Sequence, residues 1–172
     1  MKTLHLLRHA KSSWNEPWAS DRERGLNKRG RRDAPRMGRA LAAELAPMPV
    51  FASPARRAQL TLAGVCDGWP AMAGLVHETV EALYTFSADE VFELLMDCDD
   101  ARESVFLIGH NPAFTELINT LDSGAALDNL PTAAYARLVL SIPQWRQLAP
   151  GCGRLDRLLL PRELNGALLR RM

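Results

Sequence analysis

Cysteine is scarce in this 172-residue chain: Cys66, Cys98 and Cys152 are odd in number, far apart and without Cys-x-x-Cys spacing. That pattern disfavours a disulfide framework and a zinc site, and it fits a reducing compartment. Long apolar runs are also missing. No stretch approaches the roughly 18 residues needed to span a bilayer, and the N-terminal apolar run stops at Arg8 with no small-residue cleavage site after it. The expectation is a cytoplasmic protein with no membrane partner. Charge of one sign is absent in bulk, since 21 Lys and Arg against 20 Asp and Glu leave +1. A polyanion coat protein and an acidic tail are thereby disfavoured. Aromatic residues make up 6% of the chain, and no aromatic-rich RNA signature accompanies its arginines, so no nucleic-acid partner is expected. Repeats, low-complexity tracts and internal linkers are missing as well.

What is present suffices for a core. Hydrophobic residues reach 47% and charged residues 24%, ordinary globular usage for one domain over residues 1–172. Residues 3–7 read as a strand buried on both faces. From Asn27 a basic stretch leads into Ala34, Met37, Leu41 and Leu45 at helical spacing, with Pro35 predicting a kink or a late start. Residues 50–52 form a brief apolar run, after which Ser53 is a candidate N-cap and Pro54 a first helical residue, with a helix to about residue 66. Residues 75–77 suggest a third strand and 88–96 an amphipathic helix. Residues 104–108 are the clearest strand, breaking at Gly109-His110-Asn111-Pro112 into a helix that buries Phe114, Leu117, Ile118 and Leu121. Two more strands, 134–142 and 154–160, are candidates for antiparallel pairing. Alternating strands and helices predict an α/β domain, a three-layer α/β/α arrangement around a mostly parallel mixed sheet.

In such sheets ligands bind beyond the carboxyl ends of the strands. Arg8 and His9 follow the first strand, Ser53-Pro54-Ala55-Arg56-Arg57 the second, and Gly109-His110-Asn111-Pro112 the clearest one. Two histidines and at least two arginines would gather on one edge, beside helix N-termini near Pro54 and Pro112. Guanidinium groups bind phosphate oxygens bidentately, and helix N-termini add N–H donors. A neutral imidazole can attack phosphorus in line while a second histidine stabilises the equatorial oxygens. Neither step requires a metal or a cofactor.

LLRHAKSSWN, SPARRAQLT and GHNP, in that order, resemble the histidine phosphatase superfamily, also called phosphoglycerate-mutase-like. The resemblance implies that Arg8 binds phosphate and His9 is the nucleophile, that Arg57 rather than Arg56 is the second phosphate arginine, and that His110 is the second histidine. Ala10 replaces the signature glycine, and with the short length and the RHAKSSW wording this makes the chain most similar to the SixA-type protein phosphohistidine phosphatases. Asn15 stands where mutases of the superfamily place a phosphate-binding asparagine. Glu81 stands where the pattern puts a proton donor, although a surface carboxylate fits it equally. Imidazole, with a conjugate-acid pKa of about 6.5, leaves far more easily than an alkoxide, so an uncertain acid favours a P–N substrate.

The leading expectation is therefore a metal-independent phosphatase acting on phosphohistidine in a phosphorelay or phosphotransfer protein, through a phosphohistidine intermediate on His9. A phosphatase for small phosphomonoesters or nucleotides is the alternative. A non-catalytic phosphate- or RNA-binding module would leave His9, Arg57 and His110 unexplained. His5, His77, Arg56 and Ser12 read as structural or solvated. Asp21 and Arg24 lie in a loop that the resemblance places near the pocket, where either a substrate contact or a surface salt bridge fits, and Trp14 and Trp18 read as packing anchors. Residues 22–39 carry eight Lys or Arg against Glu23 and Asp33, whereas 78–103 carry nine Asp or Glu against Arg102. The neutral total thus averages two opposite regions, and the basic one would draw a phosphorylated partner to the catalytic edge.

Overall fold

In the computed structural model, which describes residues 1–164, the apolar run after Met1 becomes strand β1 (Lys2–Arg8). It pairs in parallel with β4 (Ser104–Gly109) and antiparallel with β5 (Tyr135–Leu140). Two short strands, β2 (Phe51–Ala52) and β3 (Glu78–Thr79), and a last one, β6 (Gly153–Leu159), complete a six-stranded sheet of order β3-β2-β4-β1-β5-β6. The first four are mutually parallel and β5 runs against both its neighbours, so the sheet is mixed and mostly parallel. Side chains alternate between two cores, as the period of a strand requires. Leu4, Leu6, Val105 and Leu107 face one cluster, which includes Leu95, Phe114 and Leu117. Leu7, Phe106 and Ile108 face the other with Met37, Leu41 and Val65. Helices α1 (Lys28–Ala42) and α2 (Arg56–Gly68), followed by the single turn α3 (Pro70–Ala73), cover the second face; α4 (Ala88–Met96) and α5 (Ala113–Leu121) cover the first. The three-layer expectation holds. Among the described residues no helix is long and apolar enough to cross a membrane.

Three local expectations are corrected. Helix α1 does not start late: the Asn27 side chain accepts the Gly30 N–H at 2.9 Å, fixing the start upstream, and the helix continues through Pro35. Ser53 does not cap α2, and Pro54 lies outside it; Ala55 holds the cap position, while the Ser53 hydroxyl is drawn into the site described below. The third strand forms at Glu78–Thr79 rather than at 75–77. The His77 ring explains the shift, because its Nδ1 accepts the Val50 N–H at 3.0 Å and its Nε2 donates to the Met72 carbonyl at 2.7 Å, turning 75–77 into a hydrogen-bonded corner. His5 is structural as expected, bonded to the Tyr135 hydroxyl at 2.6 Å and stacked on Phe106.

Candidate active site

The hydrogen-bond ladders of the sheet continue past the strand ends and align the residues that follow. His9 donates its N–H to Gly109 O at 3.0 Å, and Ser53 donates to Ile108 O at 3.0 Å. His9, Ser53 and His110 therefore stand side by side on the carboxyl edge, with the two imidazole centroids 5.2 Å apart. Arg57 enters from the first turn of α2 and is 2% exposed. Its Nη2 lies 3.4 Å from Nδ1 of His110. Arg8, at the end of β1, donates from Nη1 to the Leu130 carbonyl at 2.9 Å. Four residues read from three separate sequence motifs thus form one cluster. The Nε atoms of Arg8 and Arg57 are both buried without a hydrogen-bond partner, a costly state that an anion in the cluster would relieve.

The tautomers follow from the partners. Nδ1 of His9 lies 2.7 Å from the Ala10 carbonyl, which can only accept, so Nδ1 carries the proton and Nε2 keeps its lone pair. Burial, reinforced by His110, Arg57 and Arg8, pushes the His9 pKa down to about 3, against the opposing Ala10 hydrogen bond. His9 is thus a neutral imidazole at physiological pH, ready to act as a nucleophile. His110 faces the donor Arg57 with Nδ1, so its Nε2–H points to the Ser53 hydroxyl at 2.7 Å. Burial and the charge of Arg57 push its pKa down to about 4. Tyr84 and Phe86 both pack against the His110 ring with centroids at 5.6 Å.

Several residues hold the site in ways that were not read from the sequence, even where they lie within its motifs. Ser53 is one. Thr61 is another: it accepts the Ala10 N–H at 2.9 Å and donates to Arg57 O at 2.7 Å, tying the nucleophile loop to the arginine helix. Asn111 holds the Leu130 carbonyl with its Nδ2 at 2.9 Å, so the GHNP asparagine braces the anchor of Arg8. Ala133, in the left-handed region at φ 60°, donates its N–H to both the Arg8 and His9 carbonyls. Backbone partners and a strained alanine leave no trace in a motif. The N-terminus expected at Pro54 is also partly engaged, since the Arg56 N–H donates to Arg22 O at 2.9 Å.

The loop between β1 and α1 closes over Arg57. Asp21 accepts from Arg57 Nη1 through its carbonyl at 2.6 Å and from Nη2 through its carboxylate at 3.1 Å; Arg24 at 2.9 Å and the Tyr84 hydroxyl bind the same carboxylate. Burial alone would raise the Asp21 carboxyl, but the hydrogen bonds from Tyr84, Arg24 and Arg57 outweigh it and hold it well below the usual carboxylate range. Arg24 reaches Ser12 at 2.8 Å and lies 3.8 Å above the Trp14 ring. The packing role expected of Trp14 and Trp18 is not observed: they are 73% and 79% exposed. Asn15 is exposed, its backbone N–H donating to the Ser13 hydroxyl at 3.2 Å. Glu81 is exposed and held by both guanidinium nitrogens of Arg22, whose hydrogen bond lowers its carboxyl pKa. In this arrangement it is a paired carboxylate rather than a loaded acid. Arg56 is solvated, 3.5 Å from Glu16.

Residues 4–84 match the histidine phosphatase superfamily (branch 1). That span contains Arg8, His9, Arg57 and Glu81, while His110 lies beyond it and joins them through β4. Over the length of the chain the phosphoglycerate-mutase-like fold is shared with solved structures. SixA from Nakamurella multipartitia has 23% identity and a TM-score of 0.77, covering 93% of this chain and 96% of its own. The protein histidine phosphatase SixA complexed with tungstate has 24% identity and a TM-score of 0.77, with 95% and 99% covered. A mycobacterial glucosyl-3-phosphoglycerate phosphatase has 17% identity and a TM-score of 0.66, with 90% and 97% covered. No curated protein sequence matches the chain. The resemblance to the histidine phosphatase superfamily is thus carried by sequence over residues 4–84, and the solved structures add a shared fold over the length of the chain.

Proposed function

We propose that this protein is a metal-independent phosphohistidine phosphatase that acts on a phosphorylated protein through a covalent intermediate on His9. The observation that carries the reading is the fixed tautomer of His9: Nδ1–H is spent on the Ala10 carbonyl and Nε2 is free beside Arg8, Arg57 and His110. The phosphoryl group would sit among the two guanidinium groups, giving their buried Nε atoms an acceptor. Nε2 of His9 attacks phosphorus, an Nε2–P bond forms, the substrate P–N bond breaks, and its electron pair leaves on the substrate imidazole, which takes up a proton. Water then attacks phosphorus, the Nε2–P bond breaks, and orthophosphate leaves a neutral His9. His110 is kept unprotonated in the empty cluster by burial and Arg57; a bound dianion reverses that balance and turns it into a donor to the phosphoryl oxygens.

The alternative, a phosphatase of small phosphoesters, is supported by neighbours such as the glucosyl-3-phosphoglycerate phosphatase. An alkoxide leaving group needs a strong acid, however, and Glu81 is held as a carboxylate by Arg22. A weak acid suits imidazole, and the three free thiols suit a reducing cytoplasm. Mass spectrometry after acid-free quenching with a phosphohistidine peptide is expected to find phosphate on His9, and His9→Ala is expected to lose more than about a thousand-fold in kcat/KM. Turnover of sugar or nucleoside phosphates well above that of the peptide would favour the alternative, and an active His9→Ala would sink both.

A further inference from the structure

Beside the catalytic edge lies a second cationic site that the phosphatase chemistry does not use. A cavity of about 180 Å³ is lined by Arg29, Arg32 and Arg36 from α1 and by Arg162 from the turn after β6, with Thr132 on a third side. The helical arginines stand at i, i+3 and i+7, one face of the helix. Asp33, only 3% exposed, lies 3.5 Å from Nε of both Arg29 and Arg32, so these two guanidinium groups share one carboxylate. The cluster is costly to the fold. Helix α1 begins Lys28, Arg29, Gly30, Arg31, Arg32 with no acidic residue in its first turn, placing cations at the positive end of the helix dipole. Arg31 is accounted for by its bond to the Leu26 carbonyl at 3.0 Å. Arg29 and Arg32 line the cavity, and a departure from helix electrostatics at one place marks a functional surface.

The cavity is tied to the active site on two sides. A Cβ on Gly30 would fall 2.3 Å from the Lys11 carbonyl, so the start of α1 lies directly against the chain just after His9. Thr132 is two residues from Leu130, whose carbonyl holds Arg8, and next to Ala133, which binds the Arg8 and His9 carbonyls. Resting on the phosphoprotein reading above, we propose that this cavity is a docking site for carboxylate side chains of an acidic segment in the protein that carries the phosphohistidine. Guanidinium forks suit carboxylates, and an acidic segment seated there would lie beside the His9 edge.

The test uses two fluorescein-labelled decapeptides with one central histidine, flanked in one case by four Glu and in the other by four Gln. Unphosphorylated, the Glu peptide is expected to bind about ten-fold more tightly than the Gln peptide in fluorescence anisotropy at low salt. The preference should vanish in the Arg29→Ser/Arg32→Ser variant and weaken in Arg162→Ser, which removes the opposite wall, with thermal melting confirming both folds. Phosphorylated, the Glu peptide should show a KM raised about ten-fold in the double variant while turnover of the Gln peptide is unchanged. Absence of the preference in the wild type, its survival in the double variant, or equally tight binding of a single-stranded RNA decamer through the same arginines would each overturn the proposal. If neither phosphopeptide is hydrolysed yet the arginine-dependent preference persists, the catalytic reading fails and the acidic-peptide site stands.

Discussion

At the scale of single residues, the chemistry rests on how Arg57 is shared. Its guanidinium serves His110 on one side and Asp21 on the other, so an arriving phosphoryl group competes with a carboxylate that three donors keep ionised. Asp21→Asn retains the shape and removes the charge. For a half-exposed carboxylate at this range the lost repulsion is about 1 kcal/mol, so orthophosphate should inhibit the variant about five-fold more strongly, measured as Ki. A weaker Ki would mean that Asp21 orders Arg57 rather than competing for it. Arg8, His9, Arg57 and His110 were legible in the sequence because each sits within a recognisable motif at or shortly after the end of a strand. Ser53 was read only as a helix cap, and Thr61 and Tyr84 were assigned no role, because their contribution comes from partners 57, 51 and 63 residues away. Asp21 was placed near the pocket by resemblance alone, and only its contacts show that it holds Arg57.

At the scale of elements, the site depends on how closely α1 and α2 approach each other and the strand ends. Glycines permit this. A Cβ on Gly38 would lie 2.3 Å from the Val65 carbonyl of α2, and one on Gly30 equally near Lys11. Both contacts are with backbone, which cannot swing aside, so α1 must move away from α2 in the first case and from the loop behind His9 in the second. Gly38→Ala is expected to cost about 1–3 kcal/mol in urea unfolding and to leave kcat of the folded enzyme nearly unchanged, since Val65 is far along the chain from the cluster. Gly30→Ala should cost as much stability and also reduce kcat, because it pushes on the loop behind His9. Similar losses of kcat in both would show that α1 moves as a rigid unit. Element legibility followed the same physics: 88–96 and 104–108 were read nearly to the residue, because a strong apolar period decided them. The start of α2 and the position of β3 were missed because the Ser53 hydroxyl is also bound by His110 and the His77 ring by the Val50 N–H, partners 57 and 27 residues away that no local pattern shows.

At the scale of the whole molecule, the layer order, the mostly parallel sheet and a buried His5 in its first strand were predictable from the patterns, whereas the burial of His9 and His110 at the sheet edge was not. His5 is pushed down to about 4 by burial and Arg137, His9 to about 3 and His110 to about 4. Above pH 6.5 these imidazoles are neutral in both the folded and the unfolded chain, so they add no pH dependence there. Between 6.5 and about 4 the unfolded chain binds protons that the folded one refuses, and stability must fall as pH falls, by up to about 1.4 kcal/mol per pH unit for each histidine. His9 extends the window to about 3. Urea midpoints should therefore be level from pH 8 to 7 and drop steadily from 6.5 to 4.5. His5→Asn, which offers Tyr135 a hydrogen-bonding partner without a titrating ring, should shallow that slope by about one histidine's share at unchanged kcat. A flat midpoint from pH 7 to 4.5 would mean that the imidazoles take up protons within the fold. His9 would then be cationic below neutrality and unable to attack phosphorus, and activity would have to vanish over the same interval.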